Sequence, residues 1–416
     1  MYDLIVKNAS TLQGDKGVHL FVQNGKIEQM DSKKTVGEED SKRVIDAKGR
    51  LVLPPFIESH IHLDTALTYG KPAVNPTGEL IDGIKLWGQY QEQYLTTKEV
   101  YERAKQVINL MISHGVLYMR TMVDVTAKSL IALEALKQLQ EEVAPYFHLQ
   151  IIAFPQLGLT SGSLGYKRMK EAILLGVDGI SAVPHLEATR EKGIESLHHC
   201  FQMAKEIDGF VHIFCDETDD SESRYLEVVA DLAIEYEWYE KVTVSHINAM
   251  AYYNEPYVQK LLHLLGQSRI NVVTCPLINS VMMSRNTGWP KGRGITRVKE
   301  LLVASVNVAV AHDDLMSPFY PLGTGSPLLA GHMLLHLAQM TGSDDFNQVI
   351  EMMTTNAAHV LRLDAYGLKI GAEASFLICP AKNAHELLRK HPKPSYVILK
   401  GQVLAQTEPE QTTWFL

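Results

Sequence analysis

Apolar residues recur with two different periods along this chain. Near the start they form short strand-like runs. Leu4-Ile5-Val6 is followed by an alternating stretch from Val18 to Gln23, an Asn24-Gly25 turn signal and a second alternating stretch from Lys26 to Met30. Residues 31–43 are polar and charged and read as an exposed loop. After Leu51-Val52-Leu53-Pro54-Pro55 the texture changes, and helical stretches alternate with short apolar runs. Thr96-Thr97-Lys98-Glu99 is a capping box that opens a helix to about His114. Further helices are predicted near 127–143, 166–175, 193–207, 221–239, 255–266 and 296–304. Between them lie apolar runs at 116–125, 148–155, 179–184, 210–215, 242–247, 270–276 and 306–311. With the run ending at His62 these make eight strand candidates, and most connections are long enough for a helix. Buried strands alternating with helices point to a parallel sheet, and eight such units to a (β/α)8 barrel. Residues 375–379 and 396–399 return to β. A small β segment is hard to stabilise alone, so the two chain ends are expected to share one small β domain. The boundaries read as 1–54 with 366–416 for that domain and 55–365 for the barrel.

Composition narrows the function. The 416 residues are 46% hydrophobic and 21% charged, a globular profile that excludes disorder, collagen, coiled coil and a membrane channel. Lys and Arg total 39 against 48 Asp and Glu, a formal charge of −9 without a basic block, so no nucleic-acid partner is expected. The four cysteines, Cys200, Cys215, Cys275 and Cys379, lie far apart and form no C-x-x-C pair, which points to a reducing compartment. The N-terminus has no apolar signal core, and no stretch of about 18 residues is uncharged and apolar. A cytoplasmic protein with no membrane partner is expected.

Barrel active sites lie at the C-terminal ends of the strands. Those positions hold His60, His62, Asp124, Gln156, His185, Glu217, His246, His312, Asp313 and Asp314. Alternate residues of a strand share a face, so His60 and His62 point both imidazoles into one space, the start of a divalent-metal site. In a closed barrel the last strand abuts the first, and Asp313 reaches the same metal. Glu217 is either a general acid/base or, with Asp219 and Asp220, part of an acidic first turn of the following helix. His246 either polarises water, binds substrate or is structural. Met282-Met283, Trp289 and Phe319 line a pocket or belong to the core. Gly-x-Ser-x-Gly, phosphate-loop and dinucleotide signatures are absent. His185-Leu186-Glu187 lacks the Pro-Cys-x-x-Cys partner of cytidine-deaminase-fold zinc enzymes.

Several blocks together resemble bacterial cytosine deaminase of the amidohydrolase superfamily. They are Pro54-Pro55-Phe56-Ile57-Glu58-Ser59-His60-Ile61-His62-Leu63-Asp64, Ala153-Phe154-Pro155-Gln156, Cys215-Asp216-Glu217, Ser245-His246, the stretch from Gly294 to Glu300, His312-Asp313-Asp314 and Pro321-Leu322-Gly323-Thr324. The resemblance covers nearly the whole chain. It implies a (β/α)8 barrel with a β-sandwich built from both termini, a homo-oligomer, and a small heterocyclic substrate. By the same resemblance His60, His62 and Asp313 match ligands of a single catalytic metal, iron or zinc. Glu217 matches the proton shuttle and His246 the residue beside the hydrolytic water. Gln156 matches a side chain that grips the pyrimidine edge, and Asp314 and Phe319 fall where the family lines its pocket, commonly with Trp at the latter position. The implied reaction converts cytosine or a related cyclic amidine to the oxo product and ammonia. Hydrolysis of another N-substituted heterocycle, or heterocycle binding without turnover, is the alternative.

One departure matters. The family carries a fourth ligand histidine three residues before the glutamate, where this chain has Phe214. Metal binding with three ligands is then expected to be weak. Met122 also stands where the family has histidine, and His212 lies two residues before Phe214 on the same strand face. Met122 and His212 are expected to face the interior together, as parts of one rebuilt polar region.

Overall fold

The computed structural model describes every residue except 35, 36, 38, 39, 128, 162, 163, 286, 409, 410 and 416. The loop expected over 31–43 therefore lies partly outside the described residues. Strands β1 (Leu4–Ser10), β2 (Lys16–Gln23), β3 (Lys26–Asp31), β4 (Val44–Asp46) and β5 (Leu51–Leu53) come first. The barrel strands follow: β6 (Phe56–Ile61), β7 (Val116–Asp124), β8 (His148–Phe154), β9 (Gly179–Ile180), β10 (Phe210–Cys215), β11 (Val242–His246), β12 (Asn271–Thr274) and β13 (Asn307–Val310). The chain closes with β14 (Phe376–Cys379), β15 (Tyr396–Leu399) and β16 (Gln402–Gln406).

The barrel sheet runs β13-β12-β11-β10-β9-β8-β7-β6, all parallel. Each strand is buried on both faces, so apolar residues also stand side by side in several of them, as Val116-Leu117 and Val272-Val273 do, where a one-sided sheet would alternate. Helices cover the outside. The helix Thr97–Ser113 buries Val100, Ala104, Val107, Ile108 and Met111, one stripe at helical spacing, and Thr96 caps it by accepting the Glu99 N–H. Glu99 does not reach back to complete the box. Its carboxylate takes the Arg103 Nε–H at 2.5 Å, and Arg103 in turn donates to the carbonyls of Leu63 (3.2 Å) and Asp64 (2.8 Å), fastening the segment that follows β6. β9 is short and begins with Gly179, where a Cβ would meet the Phe210 carbonyl oxygen at 2.5 Å.

The barrel seam joins β13 to β6 through functional residues. The Asp313 N–H donates to the His60 carbonyl at 3.1 Å, and the Glu58 carboxylate accepts the His312 N–H at 3.0 Å. The second sheet combines both chain ends in the order β16-β15-β14-β5-β1-β2-β3, with β4 also paired to β1. It curls so that the Ile27 N–H meets the Ala372 carbonyl and the Gly401 N–H meets that of Ala374. Leu4, Val6, Leu20, Val22, Val52, Phe376, Ile378 and Ile398 share a core of their own inside it.

Helices also form at Leu80–Gln93, Pro276–Met282, Pro327–Leu337, Asp345–Met352, Thr355–Leu361 and Ala384–Lys390, beyond those expected from the pattern.

Candidate active site

Strand β6 delivers His60, and His62 follows one residue past its end, the two rings 5.6 Å apart at the barrel mouth. Asp313 follows β13 and faces both. Its Oδ2 lies 3.7 Å from His60 Nε2 and 3.9 Å from His246 Nε2, and its Oδ1 lies 3.8 Å from His62 Nε2. Asp216, His246 and Asp313 all hold left-handed backbone, with φ of 50°, 72° and 66°. Such conformations cost about 1–2 kcal/mol per residue away from glycine and cluster where function demands them.

His60 Nε2, His246 Nε2 and Asp313 Oδ1 are buried and have no hydrogen-bond partner among the described residues. Unpaired buried polar atoms are costly and need a reason. Here they converge, and their chemistry fits a divalent cation. The donors fall into two groups that share Asp313: His60, His246, Cys275 and Asp313, and His62, Asp313 and Asp314.

Glu217 emerges just beyond β10. The two readings of its acidic segment divide between neighbours. Asp216 serves the following helix Tyr225–Glu235, accepting the N–H groups of Tyr225 (3.0 Å) and Leu226 (2.9 Å) and the Ser223 hydroxyl (2.6 Å). Glu217 instead faces the cavity, 3.4 Å from His246 Nδ1, and accepts the Asn279 amide N–H at 3.2 Å. Burial, with the Asp314 charge beside it, pushes the Glu217 carboxyl up to about 8 against the Asn279 hydrogen bond. Asp219 pins the rim by accepting the Ser284 N–H (2.6 Å) and the Tyr252 hydroxyl (3.1 Å), while Asp220 is exposed.

His62, Glu217, Asp219, His246 and Asp313 line a cavity of about 440 Å³, together with Gln156, His185, Asp314, Phe319, Met282 and Met283. Burial pushes Asp314 up to about 6. Two strand-end residues and one other pocket candidate do not serve the cavity. Asp124 accepts Trp87 Nε1–H (3.3 Å) and Gln91 (3.2 Å) behind it. His312 Nε2 accepts the N–H groups of Thr324 (3.2 Å) and Gly325 (3.1 Å), a structural role. Trp289, a pocket candidate in the sequence, is 87% exposed and stands outside the cavity wall.

Phe214 is buried with Met122, Ile152, Phe154 and Val183. Its ring lies 4.2 Å from Phe154, 4.7 Å from His60 and 5.2 Å from His246. His212 lies deeper. Its Nε2 is 3.1 Å from His60 Nδ1, and its Nδ1 is 3.4 Å from the guanidinium of fully buried Arg120. The expectation of one rebuilt polar region around Met122 and His212 is thus corrected. A thioether and a phenyl ring leave no buried group unpaired, so Met122 and Phe214 share an apolar wall, and His212 instead steadies His60 from below. Sequence reasoning missed Asn279, which bonds both His246 Nδ1 (3.1 Å) and Glu217. The available signal was Pro276, a helix-starting residue that puts position 279 one turn into a helix over the barrel mouth.

A parallel barrel with a histidine–aspartate centre and a buried glutamate beside it fits a hydrolase of the metal-assisted class. A family model described as "Amidohydrolase family" matches residues 43–405, and the chain belongs to that family. The crystal structure of 5-methylcytosine deaminase from Klebsiella pneumoniae liganded with 5-fluorocytosine is 39% identical, with a TM-score of 0.95 and 99% of each chain covered. N-isopropylammelide isopropyl amidohydrolase of Pseudomonas sp. (strain ADP) is 25% identical over 98% of both chains. Pterin deaminase of Rhizobium rhizogenes is 25% identical over 88% of this chain and 83% of its own. The protein is a cytosine-deaminase-like amidohydrolase that acts on C–N bonds. Among the described residues no helix is long and apolar enough to cross a membrane.

Proposed function

We propose that the protein hydrolyses the exocyclic C–N bond of cytosine or a C5-substituted cytosine, giving the oxo pyrimidine and ammonia. The observation that carries this reading is Glu217, held by Asn279 beside His246 on the wall of a cavity that Gln156 and Asp314 also line. Gln156 offers an amide donor and acceptor to the pyrimidine edge, and Asp314 accepts from the opposite side. Phe154, Phe214 and Phe319 give the ring apolar surfaces. Glu217 takes a proton from the attacking water, passes it to the ring nitrogen and then assists the departing ammonia. His246, oriented by Asn279, directs its imidazole at the oxygen that attacks. His60, His62 and Asp313 would hold a divalent cation, iron or zinc, which would supply an ionised water at neutral pH.

The enzyme then works on a small heterocycle as a cytoplasmic homo-oligomer. The four buried free thiols fit a reducing compartment, and the likeness to cytosine deaminases supports the oligomer.

The test is ammonia release by metal-loaded protein from cytosine, 5-methylcytosine and 5-fluorocytosine, with N-isopropylammelide alongside. Release from the pyrimidines is expected. Silence on all three, with amine released from N-isopropylammelide, overturns the pyrimidine assignment in favour of the N-substituted heterocycle that the Pseudomonas relative suggests.

A further inference from the structure

We propose that His332 and His336 form a second metal site on the outside of the barrel, one that takes a late-transition divalent ion such as zinc. It is separate from the centre at the barrel mouth and does not depend on the deaminase reading.

Both residues lie on the helix Pro327–Leu337, so their side chains stand one turn apart on a single face. Their Nε2 atoms are 3.2 Å from each other. Two nitrogens bound to one zinc at about 2.0–2.1 Å are roughly 2.9 Å apart at neighbouring octahedral positions and roughly 3.3–3.4 Å apart at tetrahedral ones. The observed spacing falls between the two, so the helix already holds the pair at bite distance.

The ring of His332 is fixed by its other nitrogen. Nδ1 lies 3.0 Å from the carbonyl of Leu388, in the helix Ala384–Lys390. A carbonyl oxygen only accepts, so Nδ1 carries the proton and Nε2 of the neutral ring carries the lone pair. Histidines that bind metals are held in the same way, by an outer partner that sets the tautomer. In the ion-free molecule His336 presents its Nε2–H to that lone pair. When a cation enters, His336 gives this proton to water and takes one at Nδ1, so both Nε2 atoms face the ion and no net proton is released.

The surroundings favour a cation. His336 stands in the last turn of its helix, where the carbonyl ends gather partial negative charge. It is exposed, so water completes the coordination shell. A third imidazole is close by: His391, just past the end of Ala384–Lys390, has its ring 5.5 Å from that of His332. Neither His332 nor His336 lines the cavity at the barrel mouth. Neutral imidazoles suit zinc, nickel and copper(II), whereas magnesium and calcium seek oxygen. An ion held this way binds only the folded helix, and so stabilises the native chain.

The experiment soaks crystals of the full-length protein in zinc and records anomalous scattering at the zinc edge. A peak between the Nε2 atoms of His332 and His336 is expected, distinct from any at the barrel mouth and missing in His336→Gln. In solution, wild type and His336→Gln are dialysed against the same buffered zinc. Wild type should retain one equivalent more. Zinc titration should show that equivalent bound at least about tenfold more weakly in the variant, the least that loss of even a supporting partner costs. The soaked wild-type crystal needs no variant to fold. No peak between the two rings, a peak that survives in His336→Gln, or equal zinc contents overturns the proposal, whatever the barrel mouth binds.

Discussion

Replacing Glu187 by glutamine isolates the anchor of the loop that presents Gln156. In the native protein Oε1 accepts the N–H groups of Leu159 (2.6 Å) and Thr160 (3.0 Å), and Oε2 accepts that of Ser161 (2.8 Å). Gly158, at φ 86°, brings its backbone against the same carboxylate, where a Cβ would lie 3.0 Å from Oε2. The Gly158 N–H closes a turn onto the Pro155 carbonyl, so Gln156 is carried by this anchored turn. Glutamine keeps one carbonyl oxygen for Leu159 and Thr160 but turns an NH₂ toward the Ser161 N–H. A hydrogen bond to a charged group contributes about 1.5–3 kcal/mol and a neutral one about 0.5–1.5 kcal/mol. Losing one charged bond and weakening two others therefore costs about 3 kcal/mol, or roughly a hundredfold in the opening equilibrium of the loop.

Native-state hydrogen exchange reads this directly. The amides of Leu159, Thr160 and Ser161 should exchange about a hundredfold faster in Glu187→Gln, while those of β7 and β8 are unchanged. The effect must also depend on pH. Burial raises the Glu187 pKa, but the bonds from Ser161, Thr160 and Leu159 outweigh it and bring the group below its ordinary 4.5. A depressed folded pKa means the stabilisation is complete above the unfolded value and is lost as pH falls through the folded one. The gap between wild type and variant should therefore be full at neutral pH and shrink in acid. Exchange at those amides that differs by less than about threefold at neutral pH, or a gap that persists well below pH 4.5, would refute the reasoning.

Glu217→Gln should lower kcat by about 10²–10⁴ while metal content by elemental analysis and the far-ultraviolet spectrum stay as in wild type, since the amide fills the same space without moving a proton. Gly179→Ala should lower the urea midpoint by the equivalent of about 3 kcal/mol or more, because its Cβ meets the Phe210 carbonyl at 2.5 Å and the Ile152 side chain at 2.7 Å inside a packed barrel. Equal midpoints would show that β9 yields at little cost.

Much of the fold was legible because the barrel strands are buried on both sides. Short apolar-rich runs such as 116–125 and 148–155 stand out against amphipathic helices such as 97–113. The stretch from 327 to 361 was not legible by periodicity. The helix Pro327–Leu337 is apolar nearly all round, packing against neighbouring helices and β13, and so shows little two-sided pattern. Within the site, residues on strand ends were found because period-two geometry and barrel topology fix where they point, as for His60, His62 and Asp313. Asn279 and the inward thiol of Cys275 were not, since a short helix after β12 sets their direction and a seven-residue helix has too few turns to leave a pattern. The fate of Phe214 depended on Phe154 and Val183, partners from other strands that no local spacing announces.

The seam carries a consequence for how the molecule comes together. Glu58 and His312 are 254 residues apart in sequence, yet the bond between them and the one from Asp313 to His60 close the ring. Ring closure and assembly of the reactive centre are therefore a single event. A growing chain that has made every strand up to β12 still has an open staves-and-no-hoop cylinder and no centre at all. Anything that later grips His60 and Asp313 together works as the hoop, and its departure loosens the joint on which the whole cylinder depends.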